Sequence, residues 1–176
     1  MMISLANAVR AIRTRSVDLT DITLAPKAQL DYFDQQTVSL PRAISPLQAW
    51  NAVMAKPRPA LKAAFGVRDR VSSLFGVRTI SGFSSKPVKH IEVGQRLDFF
   101  LVEQVRSALL VLTERDKHLD VMTTIICEGS DLSIISSVVT HNWFGKAYMV
   151  PVGIAHRYIV KAMLRDVQER FASETD

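Results

Sequence analysis

Four apolar, β-branched runs separated by short polar turns dominate the C-terminal half of this sequence, and one long amphipathic segment follows them. The runs cover residues 97–105, 108–114, 120–128 and 132–143. Such short turns allow only antiparallel pairing between neighbouring strands. In residues 148–171 apolar side chains recur every three or four positions, which predicts a helix. We therefore expect an α+β fold of the helix-grip type, in which a curved antiparallel sheet wraps around a long C-terminal helix.

The residues before these strands predict one further strand and two short helices. The strand is expected at residues 32–40, and Pro41 ends it. Ser45 and Gln48 have the spacing of a helix capping box, and Pro46 suits the first helical position. The next prolines end this helix and begin a second one, which ends near residue 75.

The N-terminal residues and the segment before the four runs are less regular. Residues 1–28 contain a short basic amphipathic stretch, which predicts a helical arm; a transit peptide is the alternative in a eukaryote. Residues 29–176 are expected to form a single domain. Residues 78–92 are rich in glycine, serine and scattered polar groups, so they form either a lid over a cavity or a plain ordered connection.

Composition limits the class of protein. With 48% apolar and 22% charged residues, the chain is globular rather than disordered. No stretch approaches the ~20 uninterrupted apolar residues of a transmembrane helix. The single cysteine, Cys127, cannot form an internal disulfide, so we expect a cytoplasmic protein. Acids are interspersed among the basic residues of the last helix, and we therefore expect neither nucleic acid nor a membrane as a partner.

Both faces of the predicted sheet are apolar, because side chains alternate along each strand. One face is expected to hold Phe99, Leu101, Leu110, Leu112, Ile125, Ile135 and Val139. The other is expected to hold Phe100, Val102, Leu109, Val111, Met122, Ile126, Ile134 and Val138. One helix covers only one face, and an antiparallel sheet with a solvated face is not apolar on both. The second face therefore needs a cover: the N-terminal arm, a partner domain or the second subunit of a homodimer.

Several short segments carry a resemblance to a known family. They are Asp-Tyr-Phe-Asp at 31–34, Ala-Phe-Gly-Val-Arg-Asp at 64–69, Asp-Lys-His-Leu-Asp at 116–120 and His-Asn-Trp-Phe-Gly-Lys-Ala-Tyr at 141–148. Their order resembles the bacterial domain-of-unknown-function family 2867, which is similar to the START/Bet v 1-like (SRPBCC) helix-grip superfamily. The resemblance implies a curved sheet around a C-terminal helix. It implies no dinucleotide binding, because no G-x-G-x-x-G follows a strand, and it supplies no catalytic residues.

The predicted function is binding of a small apolar or amphipathic molecule between the sheet and the C-terminal helix. The predicted ligand-binding residues are Phe99, Leu101, Leu110, Ile125, His141, Trp143, His156 and Ile159. His156 lies in the apolar stripe of the helix, where it hydrogen-bonds either a ligand or a neighbouring group of the fold. Trp143 either forms the mouth of the cavity or plugs the end of the core.

Two other classes of function stay open. A cyclase, isomerase or hydrolase would need a polar pair in the cavity, such as His156 with Glu103 or Glu114, and the pattern places both acids on one face. An interaction module would dimerise through the apolar outer face. The four histidines are scattered and one cysteine adds no cluster. Hence no metal, no cofactor and no catalytic residue is predicted.

Overall fold

Six strands form one antiparallel sheet in this computed structural model, which describes residues 22–55 and 86–174. The elements are β1 (Tyr32–Ser39), α1 (Pro46–Met54), β2 (Arg96–Leu97), β3 (Phe100–Arg106), β4 (Leu109–Arg115), β5 (Leu119–Glu128), β6 (Asp131–Thr140) and α2 (Trp143–Ser173), with a 3-10 helix at Lys27–Gln29. The strand order is β1-β6-β5-β4-β3-β2. This arrangement confirms the predicted α+β fold with a curved sheet and a long C-terminal helix. The predicted N-terminal helix and the second short helix lie outside the described residues.

The turn between β5 and β6 sets which residues of β6 face the helices. Glu128 pairs with Asp131, so only Gly129 and Ser130 connect the strands. Gly129 has a φ of +58°, a conformation that tight hairpin turns require and that glycine adopts without a side-chain clash. The two-residue turn pairs Ile125 with Ile134. The sequence-based assignment of Ile135 and Val139 to the face of Ile125 was wrong, because it assumed a turn one residue longer.

A β-bulge in β3 corrects a second part of the predicted faces. Val105 pairs with Leu110, but the register shifts between Val102 and Gln104, so that Val102 pairs with Leu112. One extra residue in a strand moves every earlier side chain to the opposite face. Phe100 and Val102 therefore face the helices, and Leu101 lies on the outer side. The prediction that placed Leu101 on the face of Leu110 was wrong, because it assumed a hairpin without the bulge. Phe99 precedes β3 and packs against the inner core, as predicted.

Side-chain caps begin both helices. The predicted capping box of α1 is confirmed: the Ser45 hydroxyl accepts the N–H of Gln48, and the Gln48 side chain accepts the N–H of Ser45. In α2 the Asn142 side chain accepts the N–H of Gly145. The helix therefore begins at Trp143 rather than at residue 148, and it continues through Pro151.

Among the described elements, α1 and α2 divide the inner face of the sheet between them. α1 packs over β4 and β5, while α2 packs over β1 and β6. Buried apolar side chains from the sheet and both helices form one core there. Its central members include Trp50, Val53, Val102, Leu110, Leu112, Ile125, Leu132, Leu164 and Val167.

A second, smaller cluster occupies the outer face, where Leu109, Val111, Ile126 and Ile135 pack around Ile22. The main chain of this N-terminal segment is fixed to the sheet, because Thr124 donates a hydrogen bond to the Ile22 carbonyl. The described end of the predicted arm thus covers part of the outer face. A homodimer through that face stays a prediction. Within the described ranges, neither helix is apolar enough over a sufficient length to cross a membrane.

Candidate functional site

An apolar cavity of about 230 Å³ lies between the inner face of the sheet, α1 and the first half of α2. The sheet contributes chiefly Val121, Thr123, Ile125, Ile134, Ser136 and Val138; α1 contributes Trp50, Val53 and Met54. From α2 come Phe144, Tyr148, Met149, Val152, His156, Ile159, Val160 and Met163. Thr123 and Ser136 stand directly opposite each other on β5 and β6. Because both side chains are short, they leave the middle of the cavity floor unfilled.

Aromatic rings form two of the walls. Trp50 meets Phe100 edge-on, with 6.1 Å between the ring centroids, and Phe99 lies 4.2 Å from Phe100. On α2, Phe144 and Tyr148 are one helical turn apart and stack with an interplanar angle of 15°. These rings give the cavity flat apolar walls. Few of the described lining residues are polar.

One group of polar atoms lies at the turn between β4 and β5. Asp116 Oδ1 accepts the main-chain N–H groups of His118 and Leu119, which fixes the turn. Nδ1 of His118 lies 3.0 Å from Nδ2 of Asn142, the residue that caps α2. Nδ2 also donates to the Lys117 carbonyl. The cap of the helix therefore holds the His118 ring against the cavity wall, where it also contacts Phe144.

Gly145 allows α2 to approach this turn closely. A Cβ atom at position 145 would overlap the carbonyl oxygen of His118 and lie 3.2 Å from Cβ of Thr140. The same carbonyl accepts the N–H of His141 at 2.8 Å. A residue without a side chain is therefore required where the helix begins.

A second polar group lies where α2 crosses β1. The Tyr32 hydroxyl is 3.3 Å from Nδ1 of His156, and both residues line the cavity. Burial lowers the pKa of His156, an effect that Asp34 opposes in part. Burial likewise raises the pKa of Tyr32. The pair is therefore neutral near pH 7, and it presents a hydrogen-bonded edge rather than a charge to the cavity.

Polar contacts tie α2 to the edge strand β1. Arg157 donates to Asp34 at 3.2 Å, and Gln36 bridges the Asp34 carboxylate and the Arg157 carbonyl. About three turns further on, Gln168 donates to the carbonyl of Ser39. These contacts place the helix over β1 and β6, and the space beneath its other side lies above β5 and β6.

The charged residues at the cavity are acids. Glu114 and Asp116 contribute to the lining, and Glu114 is paired with Arg96 at 3.1 Å. Among the described residues, no lysine or arginine lines the cavity. Nor does any group of three histidine, cysteine or acidic side chains within residues 22–55 and 86–174 have an arrangement that could hold a metal ion.

A family model described as a protein of unknown function (DUF2867) matches residues 27–163. The chain belongs to this family. The DUF2867 match includes all six strands and every described residue of the cavity lining. The crystal structure of a hypothetical protein from Helicobacter pylori is similar at 16% identity, with a TM-score of 0.37, over 83% of this chain and 94% of that chain. A comparison with curated proteins found no match.

The DUF2867 fold brings half of the predicted ligand-binding residues together. Phe99, Ile125, His156 and Ile159 line the cavity. Their role in binding stays a prediction.

The other four predicted residues lie away from the cavity. Leu110 is buried in the inner core, and the bulge turns Leu101 outward. His141 lies at the surface and contacts Asp120 at 3.1 Å. Trp143 is 75% exposed, so it does not plug the core. The strand run was predicted to continue to residue 143, whereas it ends at Thr140.

Glu103 and Glu114 do not share a face. Glu103 lies at the bulge and contacts Thr113 and Arg115 on the outer side, whereas Glu114 lines the cavity. The predicted pairing of His156 with Glu103 is therefore wrong, because the sheet separates them.

Sequence reasoning missed Phe100, His118 and Phe144 as cavity residues. One signal was available: Asn142 precedes the helical pattern and is a favoured N-cap residue. A helix beginning at Trp143 puts Phe144 one turn before Tyr148, on the same side. The place of His118 depends on the contact between the turn and the cap, which no local pattern indicates.

Proposed function

We propose that this protein binds a small, mostly apolar molecule in the cavity between the sheet and its two helices. The observation that carries the proposal is the unfilled space itself, because protein interiors are otherwise close-packed. The cavity walls are aromatic and aliphatic, with polar groups at a few positions, as in small-molecule sites generally. The implied relation to START/Bet v 1-like helix-grip proteins supports the same proposal.

The volume limits the size of the ligand. At about 230 Å³, the cavity is smaller than typical pockets for drug-sized ligands, which enclose about 300–1,000 Å³. An apolar cavity of about 150 Å³ accepts benzene. In proportion, this cavity accommodates roughly ten non-hydrogen atoms. The ligand is therefore of the size of a substituted benzene or a short branched chain, unless part of it extends into solvent.

The two groups of the predicted catalytic pair that line the cavity, His156 and Glu114, favour binding over catalysis. His156 is paired with Tyr32, and Glu114 is paired with Arg96. A general acid or base must be within about 3 Å of the proton that it transfers, and these groups already have partners in the fold. Binding needs only the apolar walls and a group that orients the ligand.

The proposal is tested with two phenylalanine substitutions on the same helix. Val152 lines the cavity, whereas Val150 is 68% exposed and outside the lining. Val152→Phe fills the cavity, and Val150→Phe is the matched control. Binding of a panel of substituted benzenes is measured by saturation-transfer NMR.

We expect the wild type and Val150→Phe to bind the same compounds, and Val152→Phe to lose them. If Val152→Phe folds and binds as the wild type does, or if no compound binds the wild type, the proposal fails. Native mass spectrometry of protein purified from its own host then identifies a retained molecule.

A further inference from the structure

Among the described residues, one side-chain nitrogen of a residue that lines the cavity has no hydrogen-bond partner. Nε2 of His118 is buried, and within the described part of the chain no polar atom lies within hydrogen-bonding distance of it. An unsatisfied buried polar group is costly, and such groups in folded proteins are nearly always paired. His118 is also part of the cavity lining, beside Phe144.

The contacts of the other ring nitrogen indicate which one carries the proton. Asn142 Oδ1 accepts the N–H of Gly145, and its Nδ2 donates to the Lys117 carbonyl, so the amide orientation is fixed. Nδ1 of His118 lies 3.2 Å from Oδ1 and 3.0 Å from Nδ2 of Asn142. Oδ1 already accepts the N–H of Gly145, whereas the second hydrogen of Nδ2 has no other acceptor among the described residues and therefore points to Nδ1. Nδ1 is the acceptor in that contact, and a neutral ring carries its proton on Nε2. The unpartnered atom is therefore a donor.

We propose that the ligand carries a neutral acceptor oxygen, such as the carbonyl of a ketone, ester or amide, which accepts a hydrogen bond from Nε2 of His118. Because Nε2 is itself buried, a small shift of the ring toward the cavity accompanies this contact. The inference rests on the proposed function above and specifies the class of ligand.

Charge selects a neutral oxygen over a carboxylate. Asp116, two residues from His118, lines the same cavity, as does Glu114, which is paired with Arg96 outside the lining. In the described residues the lining contains no lysine or arginine that would balance an anion. A buried anion without a cation partner is strongly disfavoured. An aromatic ketone therefore suits the cavity better than an aromatic acid of equal size.

Three probes with equal numbers of non-hydrogen atoms separate these cases: acetophenone, its alkene isostere α-methylstyrene, and benzoate. Dissociation constants are measured at about pH 8, where an ordinary histidine is neutral. The dissociation constant of α-methylstyrene divided by that of acetophenone measures the preference for a carbonyl oxygen. We expect the wild type to bind acetophenone more tightly than benzoate.

Two variants test the role of His118. In His118→Asn the amide can still reach Asn142, but nothing occupies the position of Nε2. In His118→Gln the longer side chain returns a donor to that position. We expect the relative preference for acetophenone to fall by about three- to tenfold in His118→Asn, as a neutral hydrogen bond implies. His118→Gln should recover part of it, and binding of α-methylstyrene should stay unchanged in both.

A spectroscopic measurement on the wild type keeps the proposal testable if the variants do not fold. Long-range ¹H–¹⁵N NMR of the histidine rings reports the tautomer. We expect protonated Nε2 in His118 and a shift of its signal with acetophenone but not with α-methylstyrene. An unchanged probe ratio in folded His118→Asn, an unprotonated Nε2, or tighter binding of benzoate would overturn this inference while cavity binding stands. If no probe binds, the proposed function itself fails.

Discussion

Gly145→Ala would measure how closely α2 must approach the β4–β5 turn. In an exposed helix the same substitution is stabilising by about 1 kcal/mol, because alanine has the higher helix propensity. At Gly145 the new Cβ would overlap the His118 carbonyl oxygen, a main-chain atom that cannot rotate away. Helix propensity and steric overlap therefore predict opposite signs for the change in the free energy of unfolding.

The contacts at this position determine the expected magnitude. The added methyl group forces the helix away from the turn, and overpacking of this kind lowers the free energy of unfolding by about 1–3 kcal/mol. The same movement strains the Asn142 cap and the hydrogen bond between the His118 carbonyl and the His141 N–H, each of which contributes about 1 kcal/mol. After subtraction of the propensity gain, we expect a net loss of about 2–4 kcal/mol in the free energy of unfolding. For a chain of this size, that lowers Tm by roughly 5–15 °C.

Urea unfolding followed by circular dichroism measures the difference. The control is Ala147→Gly, the reverse substitution at an exposed position of the same helix, which should cost about 1 kcal/mol through propensity alone. A Gly145→Ala protein as stable as the wild type, or more stable, would refute the close contact between the helix and the turn.

Two pKa shifts give further predictions. Burial raises the pKa of the Cys127 thiol to about 11, so a thiol reagent at about pH 8 should modify the folded protein far more slowly than the urea-unfolded chain; equal rates would contradict this. Burial lowers the pKa of His156 in the folded state, so as pH falls below about 6.5 the unfolded chain takes up a proton first and stability declines. From about pH 7 to about pH 5.5, the wild type should lose more unfolding free energy than His156→Gln, and parallel profiles would contradict the shift.

Local signals in the sequence were sufficient for most of the fold. The capping box at Ser45 and Gln48 depends on residues three positions apart, and the sequence displays it directly. The four strands and the C-terminal helix follow from periodicities of two and about 3.6 residues, which do not depend on the rest of the chain.

The faces of the sheet depend on single residues that periodicity does not reveal. The bulge between Val102 and Gln104 and the two-residue turn after Glu128 each move a whole segment by one position. A strand that is apolar on both sides gives no pattern from which to detect such a shift. The cavity therefore lies between the sheet and the C-terminal helix as predicted, while only half of the residues assigned to it line it.

The hydrogen bonds between α2 and the edge strand β1 determine how the helix can move. The side-chain hydrogen bonds between α2 and this edge of the sheet involve residues of β1, namely Tyr32, Asp34, Gln36 and Ser39. Because these bonds lie along one edge of the sheet, α2 can tilt about β1 beyond its first turn, which Asn142 and Gly145 hold against the β4–β5 turn. The side of α2 that faces away from β1 covers the cavity, and this side moves the most when the helix tilts. If the cavity binds a ligand as proposed, a small tilt of α2 would accommodate ligands of different thickness without a change in the sheet.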